Sequence, residues 1–155
     1  MELDKLKKEY SILKEKYKLP SFKEMDENFE IHKIERESNV LLKNVRKIMM
    51  EKIVSSLGFI EMLLNPFNAP LMYHGYLKST TMNDKKDLEK IYKEFSDLSI
   101  FSLEREIDYD EKMEAELVKK IFDVWNNVKP EFMKILSNMK KPNGISTMKE
   151  RSYFG

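Results

Sequence analysis

The chain contains no cysteine, two histidines and four glycines among its 155 residues, and each scarcity removes a class of function. Without cysteine there is no disulfide, no thiol nucleophile and no thiolate-held zinc or iron–sulfur centre, which suits a reducing compartment. His32 and His74 lie far apart. Neither sits in the Glu-x-x-His or His-Glu-x-x-His spacing that a di-iron bundle or a zinc hydrolase requires. Gly58, Gly75, Gly144 and Gly155 are too scattered to build a phosphate-cradling loop, which argues against nucleotide folds of the Walker and Rossmann kinds. No serine stands in a Gly-x-Ser-x-Gly turn. Charge of one sign is also missing: 28 basic residues against 27 acidic ones leave +1, so no global field draws the chain to nucleic acid or to an anionic membrane. No apolar run approaches the ~18 residues needed to cross a bilayer. The opening MELDKLKKEY lacks the apolar core of a signal peptide, and a cytoplasmic location with no membrane partner is expected. No cofactor or metal site is expected either.

What is abundant is helix-forming, charged and apolar sequence: 41% hydrophobic and 35% charged residues, the composition of a helix-rich globule. Leu3, Leu6, Tyr10, Leu13 and Tyr17 alternate spacings of three and four, the narrow seam a helix turns to one partner helix. Leu19-Pro20 ends that helix. Ser21 with Glu24 then reads as a capping box opening a short helix that turns Phe22, Met25 and Phe29 one way. Residues 31–39 read as an irregular connector. A long central helix is predicted over about 38–64, stopping before Asn65-Pro66, because proline disfavours helix in the residue before it and donates no amide hydrogen. After the loop NPFNAP, Pro70 is placed to start a short apolar helix, and Thr81 or Asn83 to cap a second long helix over about 84–107. Asp108 with Glu111 repeats the capping pattern for a third over about 109–140, in which Pro130 predicts a kink or short break near residues 126–129. The fold class is therefore all-α, an irregular bundle of three long helices with shorter N-terminal and connecting ones. Residues 1–141 read as one helical domain and 142–155 as a basic-aromatic tail.

Within this pattern a few residues are out of place. Stepping at about 100° per residue puts Arg46 and Lys52 in the arc of Leu41, Val45, Met49, Ile53, Ile60, Leu63 and Leu64. The same exercise sets Glu106 beside Leu88 and Phe95, and Glu114 beside Trp125 and Phe132. A lone buried charge costs on the order of several kcal/mol, so these groups must pair, extend to solvent or line a wet cavity. The expected outcome is that Lys52 snorkels and that Arg46 pairs across helices with Glu106 or Glu114; a polar pocket is the functional alternative. Residues 104–116 hold seven acids against two bases but lack the Asp-x-Asp-x-Asp-Gly frame of a calcium loop, so helix capping accounts for them.

Two surfaces invite partners. Phe67, Leu71, Met72, Tyr73, Tyr76 and Leu77 crowd large apolar groups into a short region, and Tyr and Met are adaptable contact residues. From Lys140 onward, Lys140, Lys141, Lys149 and Arg151 precede Tyr153 and Phe154, a pairing of basic and aromatic groups that can hold phosphates and stack bases.

The strings LPSFKEMDENFEI, IEMLLNPFNAP and EIDYDEKMEAELVKKIFDVWNNVKP, with the terminal SYFG, resemble small helical archaeal proteins with no assigned activity. The resemblance implies an archaeal, cytoplasmic origin and nothing catalytic. The leading expectation is a noncatalytic interaction or scaffold protein, with a protein partner or a second copy docking on the N-terminal seam, on Phe67, Met72, Tyr73 and Tyr76, or on Tyr153 and Phe154. One alternative is a nucleic-acid accessory protein using Lys43, Lys47, Lys140, Lys141 and Arg151. The other is an enzyme with a carboxylate and arginine pocket at Glu106, Glu114 and Arg46.

Overall fold

The computed structural model describes residues 2–35 and 40–140. It is an all-α bundle: α1 (Leu3–Tyr17), α2 (Phe22–Phe29), α3 (Leu41–Leu64), α4 (His74–Lys78), α5 (Met82–Ile107) and α6 (Glu111–Met139), with single 3-10 turns at Ile31–Lys33, Pro66–Asn68 and Leu71–Tyr73. Among the described residues there is no strand.

The long helices α3, α5 and α6 pack on one another, while α1 rests on α2 and α6, and α2 on α3. Val45, Met49, Ile53, Ile60, Leu88, Phe95, Leu98, Val118 and Ile121 are all fully enclosed and form the shared interior. Near the middle of α6, Trp125 stacks on Phe95 at 6.2 Å and meets Phe29 of α2 at 5.9 Å, so one aromatic cluster ties three helices together. Of the α1 seam, Leu6 and Tyr10 are buried, Leu13 and Tyr17 half-buried, and Leu3 is exposed. The Tyr10 hydroxyl donates to the Pro20 carbonyl at 2.6 Å, which anchors the turn between α1 and α2. Burial, with the Glu24 charge beside it, keeps that hydroxyl protonated well above the usual tyrosine range.

Chemistry at the helix ends follows the sequence closely, with two corrections. Ser21 and Glu24 close the capping box of α2, and Thr81 with Asp84 closes another at α5, which starts two residues earlier than its apolar stripe indicates. The cap of α6 is Asp110, not Asp108: its side chain accepts from the Met113 amide at 2.9 Å. Asp108 instead ends α5. The second concerns Pro130, where a kink or short break is expected: the break does not occur, since α6 stays helical from Glu111 to Met139. Both Pro130 and Asn126, whose carbonyl loses its acceptor role to the missing amide, lie on the exposed face, where water replaces the lost bond. The start of α3 is Leu41, after residues 36–39, which fall outside the described set.

Candidate functional site

Arg46 is the largest fully buried side chain, 1% exposed, and three side chains from two other helices converge on it. From α6, Glu114 Oε1 accepts from Nε; from α5, Ser102 Oγ accepts from Nη1 at 2.6 Å and Glu106 Oε1 from Nη2 at 2.7 Å. Arg46 stands early in α3, whereas Ser102 and Glu106 stand late in α5, so the two helices run antiparallel through this contact. Glu114 lies in the first turn of α6, where the unpaired amides of the helix start also favour a negative charge. It is fully enclosed, and its Oε2 finds no hydrogen-bond partner among the described residues.

Glu106 bridges inside and outside. Its side chain is 34% exposed, and besides Arg46 it lies 3.5 Å from Lys43 and 3.7 Å from Lys47. The hydrogen bond from Arg46 holds its carboxyl below the usual glutamate range; partial burial opposes this, and the charges of Arg46, Lys47 and Lys43 add to it. Sequence periodicity located Arg46, Glu106 and Glu114 on inward arcs but passed over Ser102. That serine lies one turn before Glu106 on the same helix face, and a small polar residue inside an apolar arc is the signal that marks it.

As chemistry, this arrangement is a clamp. All three nitrogens of the guanidinium are engaged by α5 and α6, Arg46 and Glu114 present no surface to a substrate, and the grooves of about 580, 310 and 710 Å³ on the molecule are lined by other residues.

Lys52, grouped with Arg46 by helical phase and expected to snorkel, forms no ion pair among the described residues. It is exposed and has no carboxylate within ion-pair distance among the described residues. Its Nζ donates to the Asn28 carbonyl in the last turn of α2 and lies 5.7 Å from the Phe29 ring centre and 5.3 Å from that of Trp125. The physical reason is the end of α2, whose unpaired carbonyls and negative dipole attract a cation as well as a carboxylate does. Burial against the two rings, with Lys129 nearby, lowers the lysine pKa; Glu30 acts in the opposite sense.

The remaining candidates scatter. On the connection between α3 and α5, Phe67 is 96%, Leu71 80% and Met72 72% exposed, Tyr76 is on the surface, and Tyr73 is half-buried with its ring edge against Phe59 at 6.2 Å. Lys140 is exposed just beyond α6, whereas Lys141, Lys149, Arg151, Tyr153 and Phe154, and with them the tail expected over 142–155, lie outside the described residues. His32 Nδ1 sits 2.7 Å from Asp26 Oδ1, and His74 Nε2 3.3 Å from the Ala69 carbonyl, so each histidine completes local structure. The acidic stretch is consumed in the same way: Asp110 caps, Glu106 and Glu114 bind Arg46, and Glu111 lies 3.7 Å from Lys16. Among the described residues no group of three His, Asp or Glu side chains could hold a metal ion, and no helix is long and apolar enough to cross a membrane. Comparison with known protein families, with curated proteins and with solved structures finds no match.

Proposed function

We propose that the chain is a noncatalytic interaction protein of the cytoplasm that pairs with a second copy through the apolar cluster on the α3–α5 connection. The observation that carries this reading is the exposure of Phe67, Leu71 and Met72 at 96%, 80% and 72%, on two short 3-10 turns separated by Ala69 and Pro70. Large apolar groups left together in water favour burial at an interface, and aromatic and methionine side chains supply most of the energy of such contacts. Residues 65–80 contain one lysine, Lys78, and no acid. A two-fold contact sets each charge near its own copy, so a nearly uncharged patch pairs with itself without repulsion.

The other readings receive less support. Lys43 and Lys47 are balanced by Glu106 rather than free for phosphates, and Arg46 with Glu114 is enclosed beyond the reach of a substrate. Equilibrium sedimentation over a range of concentrations tests the proposal. A mass that climbs toward twice the monomer, holds as salt rises, and stays at the monomer in Phe67→Asp/Met72→Asp with an unchanged circular dichroism spectrum supports it. A monomer at every concentration sinks it, and a gel shift on RNA or DNA at low salt would move the reading to nucleic acid.

A further inference from the structure

The groove between α5 and α6 is lined by a cation that has no counter-charge within ion-pair distance among the described residues. Arg105 is 7% exposed, yet its one hydrogen bond among the described residues runs from Nη1 to the Met113 sulfur at 3.3 Å. Among the described residues no carboxylate lies within ion-pair distance of it. The position in the last turn of α5 provides the helix dipole, which offsets only part of the desolvation of a nearly buried ion. A thioether is a weak acceptor and offsets little of the difference. Among the described residues the fully enclosed side-chain nitrogens and oxygens that lack a partner are Glu114 Oε2 and Trp125 Nε1, so the unpaired N–H groups of Arg105 keep some access to solvent, and Arg105 lines the groove.

That space measures about 580 Å³, the size of a small-molecule site. Its walls are Phe101, Met113, Leu117 and Val124. Two further cations line it but are occupied: Lys119 Nζ binds Glu116 at 2.9 Å, and Lys120 Nζ lies 4.3 Å over the Phe101 ring. Glu104, Glu116 and Asp123 also border the groove and repel a multiply charged ligand. The charge pattern thus fits a single negative charge on one planar guanidinium, with an apolar body along the wall.

We propose that this groove binds a small apolar carboxylate, its carboxyl group held by the Nε–Nη2 edge of the Arg105 guanidinium, the edge that Met113 leaves free. Arginine and carboxylate match in a two-bond fork, and the near burial of Arg105 makes those bonds stronger than with an arginine on open surface. This site is separate from the Phe67 cluster and does not depend on the pairing proposed there.

The test is calorimetric titration of the full chain with 4-phenylbutyrate, with 4-phenyl-1-butanol as the uncharged counterpart and with inorganic phosphate. Saturable one-to-one binding of 4-phenylbutyrate is expected, with the alcohol about 10- to 100-fold weaker, since charge-assisted hydrogen bonds distinguish the two, and phosphate weaker than both. Arg105→Gln should bring 4-phenylbutyrate down to the affinity of the alcohol. Val124→Phe, which fills the wall and leaves Arg105 intact, should weaken both organic ligands together. Unfolding midpoints of each variant identify a fold defect, and if Arg105→Gln unfolds, the Val124→Phe result decides. Absence of binding, equal affinity for acid and alcohol, or an Arg105→Gln protein that binds as the parent does overturns the proposal. Tighter binding of phosphate than of the carboxylate overturns it too.

Discussion

Replacing Arg46 with methionine removes the clamp while nearly preserving its unbranched length. In the parent, Glu114 is fully enclosed and draws its only hydrogen bond from Arg46 Nε, because Oε2 has no partner among the described residues. After the substitution that carboxylate keeps no counter-charge, Ser102 loses its donor, and Glu106 retains Lys43 and Lys47 at the surface. Removing one partner of a buried pair costs about 3–5 kcal/mol, most of it the stranded charge. In a chain of this length 1 kcal/mol moves the melting temperature by about 2–4 °C, so a fall of about 6–20 °C is expected. The stranded charge can then be removed in turn. Arg46→Met/Glu114→Leu should recover at least about 2 kcal/mol relative to Arg46→Met, since a buried pair replaced by apolar groups of similar size is often neutral. Urea unfolding at pH 7, followed by circular dichroism and by the emission of Trp125, measures both, with equal slopes showing that the compared states are alike. An Arg46→Met protein within about 1 kcal/mol of the parent would refute the reasoning. So would a double variant less stable than the single one.

The lowered pKa of Glu106 makes its contribution pH-dependent. A carboxyl whose folded pKa is below its ordinary 4.5 adds stability that is present above 4.5 and lost as pH falls through the lower folded value. Glu106→Gln should therefore be less stable than the parent at pH 7 and converge with it below pH 4.5, and a gap that stays constant across acid titration would contradict the bridge to Arg46. Lys52 behaves with the opposite charge: its lowered pKa makes the folded state resist the ammonium, so stability rises with pH in the window just below its ordinary 10.5. Because Lys52 Nζ lies 5.3 Å from the ring centre of the only tryptophan, emission of Trp125 should titrate in that window and lose that component in Lys52→Met. Identical alkaline titrations in the two proteins would remove the contact.

How much of this was legible in the sequence depends on the range of the interaction involved. Helix number and most boundaries are local matters: Pro66 stops α3, the Ser21–Glu24 and Thr81–Asp84 boxes open α2 and α5, and each acts within a turn of its own position. The inward placement of Arg46 is local as well, since about 100° per residue sets which arc it shares with Val45 and Met49. The rest required the third dimension. Pro130 predicts a kink or a short break, but the packed face of α6 keeps the helix continuous through it, and the exposure of Pro130 and Asn126 leaves the freed carbonyl open to solvent. Lys52 shares the apolar arc by angle, yet the end of α2 offers it a carbonyl and two aromatic faces that no periodicity in α3 could anticipate.

By itself, then, the amino-acid order determined an all-α chain with three long helices and a cation buried in the first of them. Tertiary structure decided that this cation is shared by Glu106, Glu114 and Ser102, that Phe67, Leu71 and Met72 are exposed, and that Arg105 is buried with no carboxylate in reach among the described residues. The physical reason is that turn chemistry and helical phase act over a few residues. Which side chains meet depends on the rotation and register of helices 56 to 68 positions apart in the chain, and the packing of the whole interior sets those.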